Sequence, residues 1–385
     1  MRLILIIAML LNTASLNNDF YSLFKQAIEC FENGESEHCQ QILLDLSERR
    51  ISRYQKKKVA GLMANNSFIF DSREQFIETL NSDYIKQNLD RTDLKNYNVL
   101  SHVPSLQTSW NKDNETIPTI EIGPINNPLF GINVSVNGKE CIGVLDNCCA
   151  DYCYATKAFA ERHGITPLDY KLKVNGKENG YIGVADSLAL GKLVLTNVLF
   201  VISDVNKSLI TNYNFDIIIG SNVLRAVGDI LINNIDNTIT FSRNYTCHSK
   251  NIKIFSESHT YYTEALFNEE KVSLLLDFGC SRTHMNSKYY NLRKEELNKI
   301  CIESEITFAN VSHSETSKSY VINSGQFIVC DAQCEMKDVH IQRSPHSSNG
   351  VDGSIGVDML RKFNYIEFNA QKLYMLLYNE HTTDN

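Results

Sequence analysis

The sequence predicts a mainly β protein with an N-terminal α-helical region, its β part built as two tandem lobes related by a pseudo-twofold axis. Three observations predict it. First, the apolar run Ile142-Gly143-Val144-Leu145 stops at Asp146 before Asn147-Cys148-Cys149-Ala150, and Ser273-Leu274-Leu275-Leu276 stops at Asp277 before Phe278-Gly279-Cys280-Ser281. Each reads as a buried strand delivering a carboxylate into a tight loop. Second, each copy has a distant partner, Asp216-Ile217-Ile218-Ile219-Gly220 or Asp352-Gly353-Ser354-Ile355-Gly356, followed by a short helix-like stretch. Gly220 lies 74 residues after Asp146 (220 − 146) and Gly356 lies 79 after Asp277 (356 − 277), so one design is used twice. Third, helical periodicity gives way to β-branched alternation from Thr119 onward.

Taken in order, residues 1–14 have a positive start, an apolar core from Leu3 to Leu11 and a small residue at Ala14, the pattern of a cleaved secretory signal. An exported protein, periplasmic or extracellular, is expected. The apolar core is too short for a stable membrane span, so no stable membrane insertion is expected after signal removal. Residues 19–100 are helical: Phe20, Leu23, Phe24, Ala27 and Ile28, then Ile42, Leu43 and Leu46, recur at helical spacing around an Asn33-Gly34 turn, and further helices fit Arg53 to Ala64 and Ser72 to Asn81. A helical cap is the favoured reading and a docking module the alternative. Residues 101–118, polar and holding Pro104 and the single Trp110, read as a linker.

Residues 119–246 form the first lobe. Asn137-Gly138 is its first hairpin turn, Thr156 to His163 a helix, and Asn175-Gly176 and Asn179-Gly180 are two more turn signals. Residues 251–378 form the second lobe, with a helix-rich insert near Arg293 to Lys299 and a polar hairpin region from Thr307 to Val321.

The length, 385 residues, with 43% apolar and 21% charged content, fits two or three globular domains. A net charge of −8 argues against a nucleic-acid partner, which needs clustered cations; Lys56-Lys57-Lys58 reads as a solvated helix face. Eleven cysteines are an odd number, so at least one stays unpaired within the chain. Cys30 and Cys39 are read either as a disulfide or as two buried thiols. Cys330 and Cys334 lack a second pair with histidines at zinc-like spacing, so no metal is expected, nor any cofactor.

The tandem pattern resembles the retropepsin-like aspartic proteases, whose loops read Asp-Thr-Gly-Ala with a later Ile-(Ile/Leu)-Gly crossing. The resemblance covers about two thirds of the chain, and the helical front makes it similar to single-chain, two-lobe secreted members of Bacteroides-type bacteria. It implies two acid-protease β-barrel lobes with Asp146 and Asp277 as the catalytic pair, Asn147, Cys148, Phe278 and Gly279 as the loop residues, and Gly220 and Gly356 as loop support. It also implies a flap, placed at Asn179-Gly180 with Tyr181 and Ile182 behind it.

This chain departs from the family at the next positions. Cys148 replaces a glycine, so its loop must avoid positive φ or accept strain. Asn147 has an amide to reach across with, whereas Phe278 has no polar atom, so the reciprocal threonine grip cannot form. Cys149 and Cys280 occupy equivalent places, as small fillers or as a cross-lobe disulfide.

Two facing carboxylates in a partly dry site share one proton, giving a base that deprotonates a bridging water and an acid that polarises the peptide carbonyl. The expectation is an aspartic-type endopeptidase acting on peptide or protein substrates, monomeric because both half-sites are in one chain. The alternative is a pseudoprotease serving as a peptide-binding or protein-interaction module. A cysteine nucleophile paired with His163, His259 or His284 is a third reading that no sequence spacing supports.

Overall fold

Helical spacing before residue 103 and alternation after it are both realised in the computed structural model. It describes residues 19–123, 128–149, 151–174, 177–204, 213–244, 248–309, 314–342 and 350–379. The expected signal peptide, residues 1–14, lies outside them. Two compact units result, one reaching Ser105 and including Ile254–Glu257, the other made of Leu106–Lys253 and Ser258–Asn385.

The first unit has helices α1 (residues 19–32), α2 (Ser36–Glu48), α3 (Arg53–Phe70), α4 (Arg73–Asn81), α5 (Asp83–Asn88) and α6 (Arg91–His102). Gly34, at φ 65, supplies the left-handed turn between the first two. Capping boxes at Ser52/Gln55 and Ser72/Gln75 start α3 and α4 by satisfying orphan N–H groups. Of the residues at the predicted spacing, Phe20, Ala27, Leu43 and Leu46 are buried and Leu23, Phe24, Ile28 and Ile42 are half-buried. Cys30 and Cys39 are both free thiols, so the disulfide alternative is not realised. No helix among the described residues is long and apolar enough to cross a membrane.

The second unit is mainly β. Its strands are β1 (Gln107–Ser109), β2 (Asn114–Ile122), β3 (Leu129–Val136), β4 (Lys139–Leu145), β5 (Cys153–Ala155), β6 (Thr166–Val174), β7 (Lys177–Leu190), β8 (Leu193–Ile202), β9 (Ile217–Ile219), β10 (Asp229–Asn233) and β11 (Thr238–Ser242), with helices α7 (Lys157–His163) and α8 (Ser221–Ala226). After residue 250 come β12 (Lys253–Ile254), β13 (Tyr261–Phe267), β14 (Glu270–Leu276), β15 (His284–Met285), β16 (Ile302–Ala309), β17 (Ser314–Val329), β18 (Ala332–Gln342), β19 (Gly353–Ile355), β20 (Tyr365–Asn369) and β21 (Tyr374–Tyr378). Helices α9 (Ser287–Leu292), α10 (Lys294–Ile300) and α11 (Val357–Leu360) lie between them.

One sheet has thirteen strands in the order β21-β20-β10-β11-β2-β3-β4-β9-β5-β8-β7-β6, with β1 on β8; the other has eight, β12-β13-β14-β19-β15-β18-β17-β16. The same uncommon pairing lies inside each: β4 runs parallel to β9 (Leu145↔Ile219) and β14 parallel to β19 (Leu276↔Ile355). Parallel neighbours need long crossovers, which is why the repeating motifs lie so far apart in sequence. β10 pairs with β20 from Ile230↔Phe368 to Asn233↔Tyr365, fastening the chain before residue 246 to the chain after 251.

Two expectations are corrected. Residues 101–118 are not a linker: Gln107–Ser109 pairs with β8, and Asn114–Pro118 pairs with β11. The polar residues there sit on the outer face of a strand that buries Ile117, so composition alone misled. Asn179-Gly180 is not a turn either, because Gly180 lies inside β7 opposite Leu172. The pair Val174↔Lys177 flanks Asn175-Gly176, which lies outside the described residues, and the register shifts between Leu172 and Lys173.

Candidate active site

Each aspartate is fixed first by its backbone. The Asp146 N–H donates to the Ile219 carbonyl at 3.0 Å and the Asp277 N–H to the Ile355 carbonyl at 3.1 Å, so each loop leaves its strand exactly where the parallel partner ends. The aspartate opening each partner run is a second staple. Asp216 accepts from the Ile142 N–H at 2.9 Å; Asp352 accepts from the Ser273 N–H at 2.9 Å and its hydroxyl at 3.1 Å. These two carboxylates repeat in sequence with the motif, but their structural role was missed.

Gly220 and Gly356 are demanded by space, not by φ, which is −92° and −102°. A Cβ on Gly220 would collide with the carbonyl oxygens of Tyr152 and Cys149, and one on Gly356 would lie 2.8 Å from the Arg282 nitrogen. The crossing chains therefore touch backbone to backbone beneath the loops.

The loops meet. One oxygen of Asp146, one of Asp277 and the Cys148 sulfur all lie within 4.8 Å of one another. Asp146 accepts from the N–H groups of Cys148 at 2.8 Å and Cys149 at 3.2 Å, and Asp277 from that of Gly279 at 3.0 Å. Gly279 faces the opposite aspartate: a Cβ there would lie 2.6 Å from Asp146 Oδ2. Cys148 is absent from the positive-φ residues, so its loop takes the unstrained option.

Between the loops the grip is one-sided. Fully buried Asn147 donates from Nδ2 to the Leu276 carbonyl at 2.9 Å and accepts from the Phe278 N–H at 2.8 Å. Its own carbonyl accepts from the Ser221 hydroxyl at 2.6 Å. Phe278 instead buries its ring edge-on against Phe368, centroids 5.1 Å apart. The Cys148 thiol donates to the Leu276 carbonyl at 3.3 Å. Cys149 and Cys280 are free thiols, so no disulfide joins the loops.

Burial raises the pKa of both aspartates, and the Asp146 charge raises Asp277 further, while loop N–H groups oppose the rise. Burial, followed by the charges of Asp277 and Asp146, also pushes the Cys148 thiol up, leaving it protonated and a poor nucleophile. The histidine nitrogens considered for a cysteine nucleophile face other groups: His163 Nδ1 the Phe159 carbonyl at 3.1 Å, His259 Nδ1 Asp151 at 2.6 Å, and His284 Nδ1 the Arg282 carbonyl at 3.1 Å.

Asp151 was not foreseen. It sits at φ 66 and accepts from Arg225 at 2.7 Å as well as from His259, tying the first loop to α8 and to the chain before β13. Burial opposes its ionisation, but the charges and hydrogen bonds of His259 and Arg225 win and hold the carboxyl at about 2. Two donor sets of a kind that can hold a divalent cation were also not foreseen: Asp146, Cys148 and Asp277, and Cys30, Glu35 and His38. Cys330 and Cys334 are half-buried free thiols.

Residues 132–223 match the family described as aspartyl protease. The match begins in β3, spans the Asp146 loop and reaches α8, and supports an aspartic-type peptidase at that level. No curated protein matches the chain. Among solved structures, the chain is similar to a retropepsin-like aspartic protease from Rickettsia conorii, with 17% identity, 37% of this chain and 94% of that one covered, and a TM-score of 0.25. It is also similar to Basic 7S globulin from soybean, with 9% identity, 70% and 97% covered, and a TM-score of 0.44. The EIAV protease complexed with the inhibitor HBY-793 gives 15% identity, 27% and 86% covered, and a TM-score of 0.20.

Proposed function

We propose that the protein is an aspartic-type endopeptidase with two tandem retropepsin-like lobes, each contributing one aspartate to a shared site. The observation that carries this reading is the approach of the Asp146 and Asp277 oxygens to within 4.8 Å, close enough to hold one water between them. Two carboxyls at that range, both raised by burial, favour a state with one proton between them. The ionised member takes a proton from the water, the water attacks the peptide carbonyl, and the protonated member donates to the carbonyl oxygen. The substrate is a peptide or protein, and the site of action follows from export by the N-terminal signal.

A pseudoprotease is the second reading, and one observation favours it: a Cys148 thiol stands within the dyad where the family keeps a glycine. The test replaces Asp146 and Asp277 by Asn, singly and together, and follows hydrolysis of a mixed peptide pool by mass spectrometry. Each single variant should lose activity by about 10³-fold, with the double variant hardly worse, because the pair acts as a unit. A natural chain inert from acidic to neutral pH, made active by Cys148→Gly with Asn147→Thr and Phe278→Thr, establishes the pseudoprotease instead.

A further inference from the structure

We propose that the cavity beside the Asp277 loop is a subsite for an acidic side chain of the bound peptide, so that substrates carrying Asp or Glu to one side of the scissile bond are preferred. This rests on the peptidase reading and adds a substrate class to it. The cavity, of about 440 Å³, is lined by Ser281 and Arg282, four and five residues after Asp277, together with residues of β18 and α11 and with Pro128. Cys280, between the Asp277 loop and these lining residues, donates its thiol to the Arg282 carbonyl at 3.2 Å, so the lining continues directly from the loop.

Its charge runs against that of the chain. Among the described residues that line it, four cations, Arg282, Lys337, Arg361 and Lys362, face two carboxylates, Asp338 and Asp358, in a protein of net charge −8. Asp358 is already engaged: it accepts from the Thr283 N–H and hydroxyl, each at 2.7 Å, and from the Met359 N–H at 2.8 Å. His340, 3.4 Å from Arg282, is shifted below its ordinary pKa by burial and then by the Arg282 charge, so it adds no positive charge at neutral pH.

Arg361 is the cation with the greatest need of a further partner. Its guanidinium lies over the Phe130 ring, 4.8 Å from the centroid, and pairs through Nη1 with Glu121 at 3.0 Å, while its buried Nε has no hydrogen-bond acceptor among the described residues. A carboxylate entering the cavity supplies acceptors to guanidinium groups in the geometry they favour, and the cavity has room for an Asp or Glu side chain with its water. A basic side chain would meet repulsion there, which gives discrimination as well as affinity.

The test uses end-blocked peptides identical except for one residue, Glu, Gln or Lys, moved along the sequence around a cleaved bond. The full chain should cleave the Glu peptide at one register at least tenfold faster in kcat/KM than the Gln peptide, mainly through KM. Lys337→Glu should erase that preference. Binding of the same peptides to the Asp277→Asn chain, read by fluorescence anisotropy, separates this proposal from the peptidase reading. If nothing is cleaved but the Glu peptide binds tighter and Lys337→Glu removes the difference, the subsite stands and the enzyme reading falls. Equal cleavage and binding of Glu and Gln peptides at every register, or a preference unchanged by Lys337→Glu, overturns the subsite.

Discussion

The two aspartate loops reach the same geometry by different chemistry. Asn147 holds the first loop to the second with two buried hydrogen bonds, whereas Phe278 holds the second by burying an aromatic ring against Phe368 of β20. Phe368 in turn meets the edge of Tyr261, centroids 5.7 Å apart, so the second loop leans on an aromatic cluster instead of on polar groups. A polar grip is directional and sets distance; ring packing is larger in energy and less exact in position. The spacing of the carboxyls is therefore set from the Asn147 side, and the stability of the loop pair comes mostly from the Phe278 side.

That division is broken most directly by truncating both residues. Phe278→Ala should cost about 3–5 kcal/mol, the range for emptying a buried aromatic site. Asn147→Ala should cost about 1–3 kcal/mol, since it leaves the Leu276 carbonyl and the Phe278 N–H unpaired. Urea melts of both variants measure the difference. A larger loss from Asn147→Ala would mean that the polar grip carries the stability as well.

A second contrast lies five residues from Asp146. Asp151 is stabilised as a carboxylate by His259 and Arg225, while Asp146 and Asp277 are destabilised as carboxylates by burial and, at Asp277, by the Asp146 charge as well. Their contributions to stability have opposite signs in pH. Asp151, depressed to about 2, contributes stability that is present above the ordinary carboxylate range and lost as pH falls through about 2. The dyad, raised, contributes stability present below that range and lost as pH rises through the raised values. At pH 7, Asp151→Asn should cost about 3 kcal/mol as a broken buried pair, whereas Asp277→Asn should be neutral or stabilising. Melts repeated down to about pH 2 should show the Asp151→Asn deficit closing. A deficit that persists there would assign the loss to packing around Asp151 and not to its charge.

Much of this was legible in the sequence because it was written twice. The strand, aspartate, small-loop pattern and the Ile-Gly crossing located both loops, and the side-chain inventory at Asn147 and Phe278 anticipated a one-sided grip that the hydrogen bonds now contain. The Asp151, Arg225 and His259 cluster was not legible, since its members lie 74 and 108 residues apart and carry no periodic signal. The strands at 107–109 and 114–118 were hidden by polar outer faces, and the Asn179-Gly180 signal competed with an equal one four residues earlier. Local chemistry marks a turn, but strand pairing overrides that mark at Asn179-Gly180, where Gly180 lies opposite Leu172.

The finest difference between the loops is at the second residue after each aspartate. Gly279 leaves room for the Asp146 carboxyl, and an added Cβ would lie 2.6 Å from Oδ2 and 2.7 Å from Oδ1. Cys148 carries a Cβ and a thiol at the matching place, close to Asp277, so that side of the site is already filled. Gly279→Ala must push the Asp146 carboxyl aside, and a displacement of the order of 1 Å costs roughly 10²-fold in activity. Cys148→Gly removes atoms without displacing either carboxyl, so kcat/KM should change by about tenfold at most, and upward, as the site opens to water and substrate. Both variants are measured on one peptide, with melts to verify that the fold is retained. Equal losses from the two would mean that the loops are equivalent at this position and that the thiol has a positioning role of its own; full activity in Gly279→Ala would mean that carboxyl spacing does not limit the reaction.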